Sequence, residues 1–148
     1  MKVTSRITNQ QGKHTLMIET EGRTNQLAIR CGGDGFGSSI SGGELLCSAL
    51  ATCYCNDLYR EARKRGIAVV RVRVEVTGEF ASEGAGASNI TYRASVDAKA
   101  PEEDVLELMQ HTDKVAEIHN TLRNSAPVSL VECQAREIPV VPVATAPA

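Results

Sequence analysis

Valines at positions 70, 72, 74 and 76 alternate with Arg71, Arg73, Glu75 and Thr77, a period of two that predicts a half-buried strand. Ile90, Tyr92, Ala94, Val96 and Ala98 repeat the pattern, and the loop Ala81–Ala87 between the two runs predicts an antiparallel hairpin. Upstream, three short strand-like runs, Lys2–Thr8, His14–Thr20 and Asn25–Arg30, are separated by turn-forming Gln10-Gln11-Gly12 and Glu21-Gly22.

Between these two groups the period changes. Ser41-Gly42-Gly43-Glu44 has the form of a capping box, in which the Ser hydroxyl accepts from the third helical N–H and the Glu reaches back to the cap. Behind it Leu45–Arg65 contains no Gly or Pro, and Arg60, Arg63, Lys64 and Arg65 suit the negative end of a helix dipole. Gly66 ends this predicted long helix. A second helix is predicted from Pro101, with Glu102, Glu103 and Asp104 in its first turn. Val105, Leu108, Met109, Val115, Ile118 and Leu122 continue it at helical spacing. Val128–Ile138 reads as a last strand, and Pro139–Ala148, with three prolines, as a loose tail. The expected order is βββ–α–ββ–α–β: one α+β domain over residues 1–138 and a Pro/Ala-rich tail over 139–148, with no internal repeat.

At 148 residues, 42% hydrophobic and 23% charged, the chain has the size and composition of a single domain with its own core. A net charge of −2, 3% aromatics and no Trp argue against nucleic acid as a partner. No apolar run approaches the roughly 20 residues of a membrane span, and the first residues lack the apolar core of a signal peptide. The expected location is therefore the cytoplasm. Five cysteines, Cys31, Cys47, Cys53, Cys55 and Cys133, are then free thiols in a reducing compartment rather than a disulfide framework.

Three of the five lie on the long helix. Cys53 and Cys55 point to nearly opposite faces, and Cys47 lies about 120° from Cys53. A zinc site built from this helix alone therefore fails, no C-x-x-C pair exists, and no metal is expected. Cys53 shares a stripe with Leu46, Ala49 and Leu50, with Asp57 one turn beyond. It can be a small buried hydrophobe, or a reactive thiol if a cation arrives from elsewhere, since the dipole cannot help at mid-helix. The Gly-rich run Gly32–Gly37 precedes a helix but lacks the Lys of a phosphate loop, so it reads as an approach loop and no nucleotide or other cofactor is expected. His119 could serve as a base for Cys53, but a helical His beside Asn120 and Thr121 reads first as a partly exposed polar residue. The charge run Arg60–Arg65 reads as a solvated helix end.

The run Gly43–Tyr59, GELLCSALATCYCNDLY, resembles the central helix of the OsmC/Ohr family of osmotically inducible and organic-hydroperoxide-resistance proteins. The Gly-rich approach, the Val-alternating strand and His119-Asn-Thr-Leu122 agree with it. The resemblance implies a two-layer α+β fold, an intertwined homodimer, and thiol chemistry at the subunit interface. In that family a first cysteine attacks a hydroperoxide and becomes a sulfenic acid, which a second cysteine resolves. Cys53 matches the first cysteine. The second is replaced by Ala116, so an external thiol, or Cys133 or Cys31, would have to resolve it. The assisting Glu of the hydroperoxide-resistance branch falls on Gly43; Glu44 matches the broader pattern, although it lies about 13.5 Å along the helix from Cys53. Arg6, Arg23 and Arg30 are candidates for the assisting Arg, with Arg23 chosen. The expected activity is thus reduction of organic or lipid hydroperoxides through Cys53, Glu44 and Arg23, in oxidative stress defence, with an external thiol as reductant. The alternatives are a scaffold without turnover that binds or senses a small apolar ligand at the dimer interface, and a structural role with an inert Cys53.

Overall fold

A computed structural model of the chain describes residues 1–129 together with Val131, Glu132 and Gln134. Its first three strands, β1 (Val3–Gln10), β2 (Lys13–Thr20) and β3 (Arg23–Leu27), form an antiparallel meander in sequence order. The turn between β2 and β3 places both Glu21 (φ 47°) and Gly22 (φ 80°) in the left-handed region, the backbone a two-residue hairpin needs to match strand twist. Only Leu16 of this sheet is buried, and Ile7 and Leu27 stand exposed. The meander packs only slightly against the other elements.

The Gly-rich segment folds back onto the β1–β2 turn. Gly12 N–H donates to Gly35 O at 2.8 Å, and Asn9 exchanges two hydrogen bonds of 3.0 Å with the backbone of Gly37. Gly35 N–H donates to Gly32 O and Phe36 N–H to the Asp34 carboxylate. These bonds engage the amides of Gly35, Phe36 and Gly37 within the chain.

Helix α1 (Gly42–Lys64) begins with the full capping box: Glu44 N–H donates to Ser41 Oγ at 3.2 Å and Ser41 N–H to Glu44 Oε2 at 2.7 Å. Ser41→Ala is expected to lower stability by about 1 kcal/mol, checked by urea unfolding at neutral pH. At the other end Gly66 (φ 67°) allows Ile67 N–H to reach Ala62 O and Gly66 N–H to reach Arg63 O, a Schellman ending that only glycine takes without strain.

Leu50, Tyr54, Asp57, Leu58, Glu61 and Ala62 form the buried stripe of α1. It lies on the hairpin of β4 (Ala68–Phe80) and β5 (Ala87–Lys99), paired with Val72 opposite Val96 and Val74 opposite Ala94. The expected alternation departs at one end. A register shift between Val69 and Arg71 leaves Val70 unpaired and 63% exposed, while Val69 turns towards the core. A bulge inserts one residue and so flips the faces beyond it.

Helix α2 (Glu102–Val115) completes the layer, its Leu108 fully buried against Tyr54, Leu58 and Ala62. The single second helix expected from the sequence is instead two. Ala116 adopts an extended conformation (φ −70°, ψ 110°), and α3 (Glu117–Arg123) starts afresh. Polar side chains of α3 collect the carbonyls freed by the break: Asn120 Nδ2 donates to Lys114 O and Arg123 Nη1 to Asp113 O, both at 2.9 Å. The redirected helix buries Ala116 and His119 and leaves Ile118 and Leu122 more than a third exposed, reversing the expected apolar face. Of the expected last strand, the described residues Val128, Ser129, Val131, Glu132 and Gln134 adopt no strand conformation, and Val128 and Val131 are 98% and 93% exposed. The rest of that run, including Cys133, and the tail 139–148 lie outside the described residues.

Candidate functional site

Cys53 sits half-buried at the edge of the α1 stripe, where α3 begins. Four residues on, Asp57 occupies the same face one turn later, and the Cys53 thiol donates to Asp57 Oδ2 at 3.2 Å. The break at Ala116 brings two further groups. Ile118 N–H, an unsatisfied donor of the first turn of α3, points at Cys53 Sγ from 3.5 Å, and Glu117 Oε2 stands 4.0 Å from the sulfur.

Arg60 ties the acids together. Its Nη1 donates to Asp57 Oδ1 at 2.6 Å and to Glu117 Oε1 at 3.1 Å, and its Nε to Glu61 Oε1 at 2.9 Å. Arg60 is therefore not the freely solvated end residue expected from the charge run: long-range pairing with Glu117 holds it across the site. Lys64 and His111 approach Glu61 from the outer side.

Burial pushes the Cys53 thiol above its ordinary pKa; the Ile118 N–H opposes this, and the nearby Asp57 and Glu117 carboxylates add to it. Burial likewise raises Asp57, with Glu117 adding to the rise and Cys53 and Arg60 opposing it. The charged form of Cys53 is the one disfavoured, so the thiolate accumulates only at alkaline pH. Alkylation of native Cys53 by iodoacetamide is expected to climb about tenfold per pH unit through neutrality. A plateau below pH 8 would contradict this arrangement.

The other expected site residues lie apart from this group. The Glu44 carboxylate is engaged at the start of α1 by Ser41. Arg23 opens β3, exposed, and is not among the groups bonded to Cys53. Gly43 is half-buried, and a Cβ there would meet the Phe80 ring at 2.7 Å, so Phe80 fills the space a longer side chain would take. Ala116 is fully buried. Cys31 lies in the approach loop, half-buried.

His119 differs from its expected role as a partly exposed polar residue. It is 5% exposed, packed between Tyr54 and Tyr92, and neither ring nitrogen has a hydrogen-bond partner among the described residues. Burial lowers its pKa and keeps the ring neutral. It makes no bond to Cys53. Beside it lies a cavity of about 340 Å³, lined by Leu50, Val76, Ile90, Tyr92, His119 and Leu122 among others. Leu50 lies one turn before Cys53, but Cys53 itself is not part of the lining.

Cys53, Asp57 and Glu117 each offer a ligand atom within 4.8 Å of the others, so this set could hold a metal ion. Arg60 bridges both carboxylates, and a cation entering there would have to displace it. A search for Cys and His spacings alone overlooks this set, because Glu117 is 64 residues away in sequence. Arg60 carried a weak signal, its three-residue spacing from Asp57.

The family model for OsmC-like proteins matches residues 35–131. No curated protein matches the chain. Among solved structures, an OsmC-like protein from Mycoplasma pneumoniae superposes with a TM-score of 0.57 at 20% identity, covering 82% of this chain and 86% of that one. An osmotic stress induced and detoxification response protein from Psychrobacter arcticus gives 0.59 at 18%, covering 80% and 86%. An organic hydroperoxide resistance protein from Elizabethkingia anophelis gives 0.56 at 13%, covering 83% and 89%. At these identities the likeness is one of fold. Among the described residues no helix is long and apolar enough to cross a membrane.

Proposed function

The chain belongs to the OsmC-like protein family, and from that premise we propose that it reduces organic or lipid hydroperoxides through Cys53, in oxidative stress defence. The carrying observation is the Cys53 sulfur at the α1–α3 junction, in contact with the buried Asp57 carboxylate and the Ile118 N–H. The sulfur attacks the outer peroxide oxygen, the O–O bond breaks, and Cys53 becomes a sulfenic acid as an alcohol leaves. With Ala116 where the family carries its second cysteine, an external thiol condenses with the sulfenic acid and releases water. A second equivalent of thiol then regenerates Cys53 and leaves as a disulfide. Such a cycle belongs in a compartment that supplies reduced thiols, the cytoplasm. Purified protein with excess dithiothreitol and an organic hydroperoxide is expected to consume one peroxide per dithiol oxidised; consumption no faster than without protein would overturn the reading.

The active form in this reading is a homodimer. The meander β1–β3 buries only Leu16 within its own chain and packs only slightly on the other elements, so a second copy is the natural cover for its faces. Light scattering is expected to report twice the 15.8 kDa chain mass; the chain mass alone at micromolar concentration would contradict it.

A second reading keeps the scaffold without turnover and has it bind a small apolar ligand. The cavity of about 340 Å³ beside His119 and the raised Cys53 pKa favour it. Full turnover in the dithiothreitol assay would rule it out.

A further inference from the structure

Resting on the peroxidase reading, we propose that Asp57 takes the proton of the Cys53 thiol as the sulfur attacks a hydroperoxide, and passes it to the departing alkoxide. Reactive cysteines commonly have cations drawn close to make the thiolate in advance. Here the nearest charged group is an acid. Asp57 Oδ2 is 3.2 Å from the sulfur, and the guanidinium stands one group further off, on the other carboxylate oxygen, with Arg60 Nη1 2.6 Å from Oδ1. At rest such a site holds a neutral thiol, a poor nucleophile. A base in contact with the S–H lets the sulfur lose its proton only as the new S–O bond forms, the role of a general base.

The geometry suits that role. Cys53 and Asp57 share one face of a 23-residue helix, so backbone rigidity fixes their separation. Asp57 is 4% exposed, so water competes little for its carboxylate. Arg60 holds Oδ1 and leaves Oδ2 turned to the sulfur. The other charged groups facing Cys53 serve less well. Glu117 stands at 4.0 Å, its side chain is 66% exposed, and it is itself tied to Arg60. The His119 ring nitrogens have no hydrogen-bond partner among the described residues, Cys53 included.

The step balances. The sulfur lone pair forms a bond to the outer peroxide oxygen, and the O–O electron pair leaves with the alkoxide. The thiol proton moves to Asp57 Oδ2 and from there to the alkoxide. Cys53 is oxidised to the sulfenic acid, the peroxide is reduced to the alcohol, and Asp57 returns to its starting charge.

A pair of rates on reduced protein separates this role from that of a mere nearby charge. Asp57→Asn keeps the shape and removes both the base and its negative charge. Reaction with an organic hydroperoxide, which needs a proton delivered to the leaving oxygen, is expected to slow about a hundredfold. Alkylation by iodoacetamide at neutral pH, which needs only thiolate, is expected to rise several-fold as a repelling carboxylate disappears. Asp57→Glu is expected to recover at least about a tenth of the wild-type hydroperoxide rate. If both rates rise, or neither changes, Asp57 is only a neighbouring charge and the proposal is overturned. If both fall and Asp57→Glu restores neither, Asp57 acts through the fold and the proposal is again overturned. A wild-type protein inert to hydroperoxide removes the peroxidase reading and this proposal together; oxidation preserved in Asp57→Asn removes this proposal alone.

Discussion

Cys53→Ser is expected to reduce hydroperoxide consumption to the rate measured without protein, while the thermal midpoint stays close to wild type. The oxygen of serine is a far weaker nucleophile towards peroxide than sulfur, and no other described thiol has the same surroundings. Cys31 lies in the approach loop, and Cys47 and Cys55 face other sides of α1. Stability should hold because Cys53 is only half-buried and serine can still donate to Asp57 across the same short gap. The coupled assay and a melting curve on the same preparation check both halves. Surviving turnover would move the chemistry to another residue.

The largest effect on stability is expected from Leu58→Ala. Leu58 has no exposed surface and sits at the centre of the core formed with Tyr54, Ala62 and Leu108, against the inner valines of β4 and β5. Removing its branched end loses the transfer free energy of the buried methyls and leaves a cavity that rigid neighbours on a helix and a hairpin cannot close. A loss of about 3–5 kcal/mol is expected, a large part of a typical domain's total. Urea unfolding of the two proteins measures it. A loss under about 1 kcal/mol would mean that the α1–hairpin contact is not the main core.

Both expectations lean on α1, the element most legible in the sequence. Ser41 and Glu44 announced its start, Gly66 its end, and the expected capping box and Schellman glycine are both present. The hairpin was legible because valine alternation has a period of two, but its bulge was not: no residue near Val70 signals where a ladder will slip. The break at Ala116 left no trace either. Val115-Ala116-Glu117 contains neither Gly nor Pro, and the carbonyls it frees are taken by Asn120 and Arg123, residues that read as ordinary surface polars.

The site was half legible for the same reason. Cys53 and Asp57 are neighbours on one helix, so their meeting follows from a period of 3.6. Glu117 and Ile118 reach the sulfur only because α3 is redirected at Ala116. Arg60 gained its role from the same event, through its bond to Glu117. Glu44, a candidate only through the family resemblance, is held at the helix start by the capping box that its spacing from Ser41 predicts.

The reactivity of Cys53 towards peroxide decides the proposed cycle. Its most direct test exposes fully reduced protein to one equivalent of an organic hydroperoxide, quenches early, and follows intact mass with peptide mapping. The expected result is a single modification at Cys53, as a sulfenic acid or as its disulfide with an added thiol. Slow oxidation spread over all five cysteines, or none at all, would contradict it.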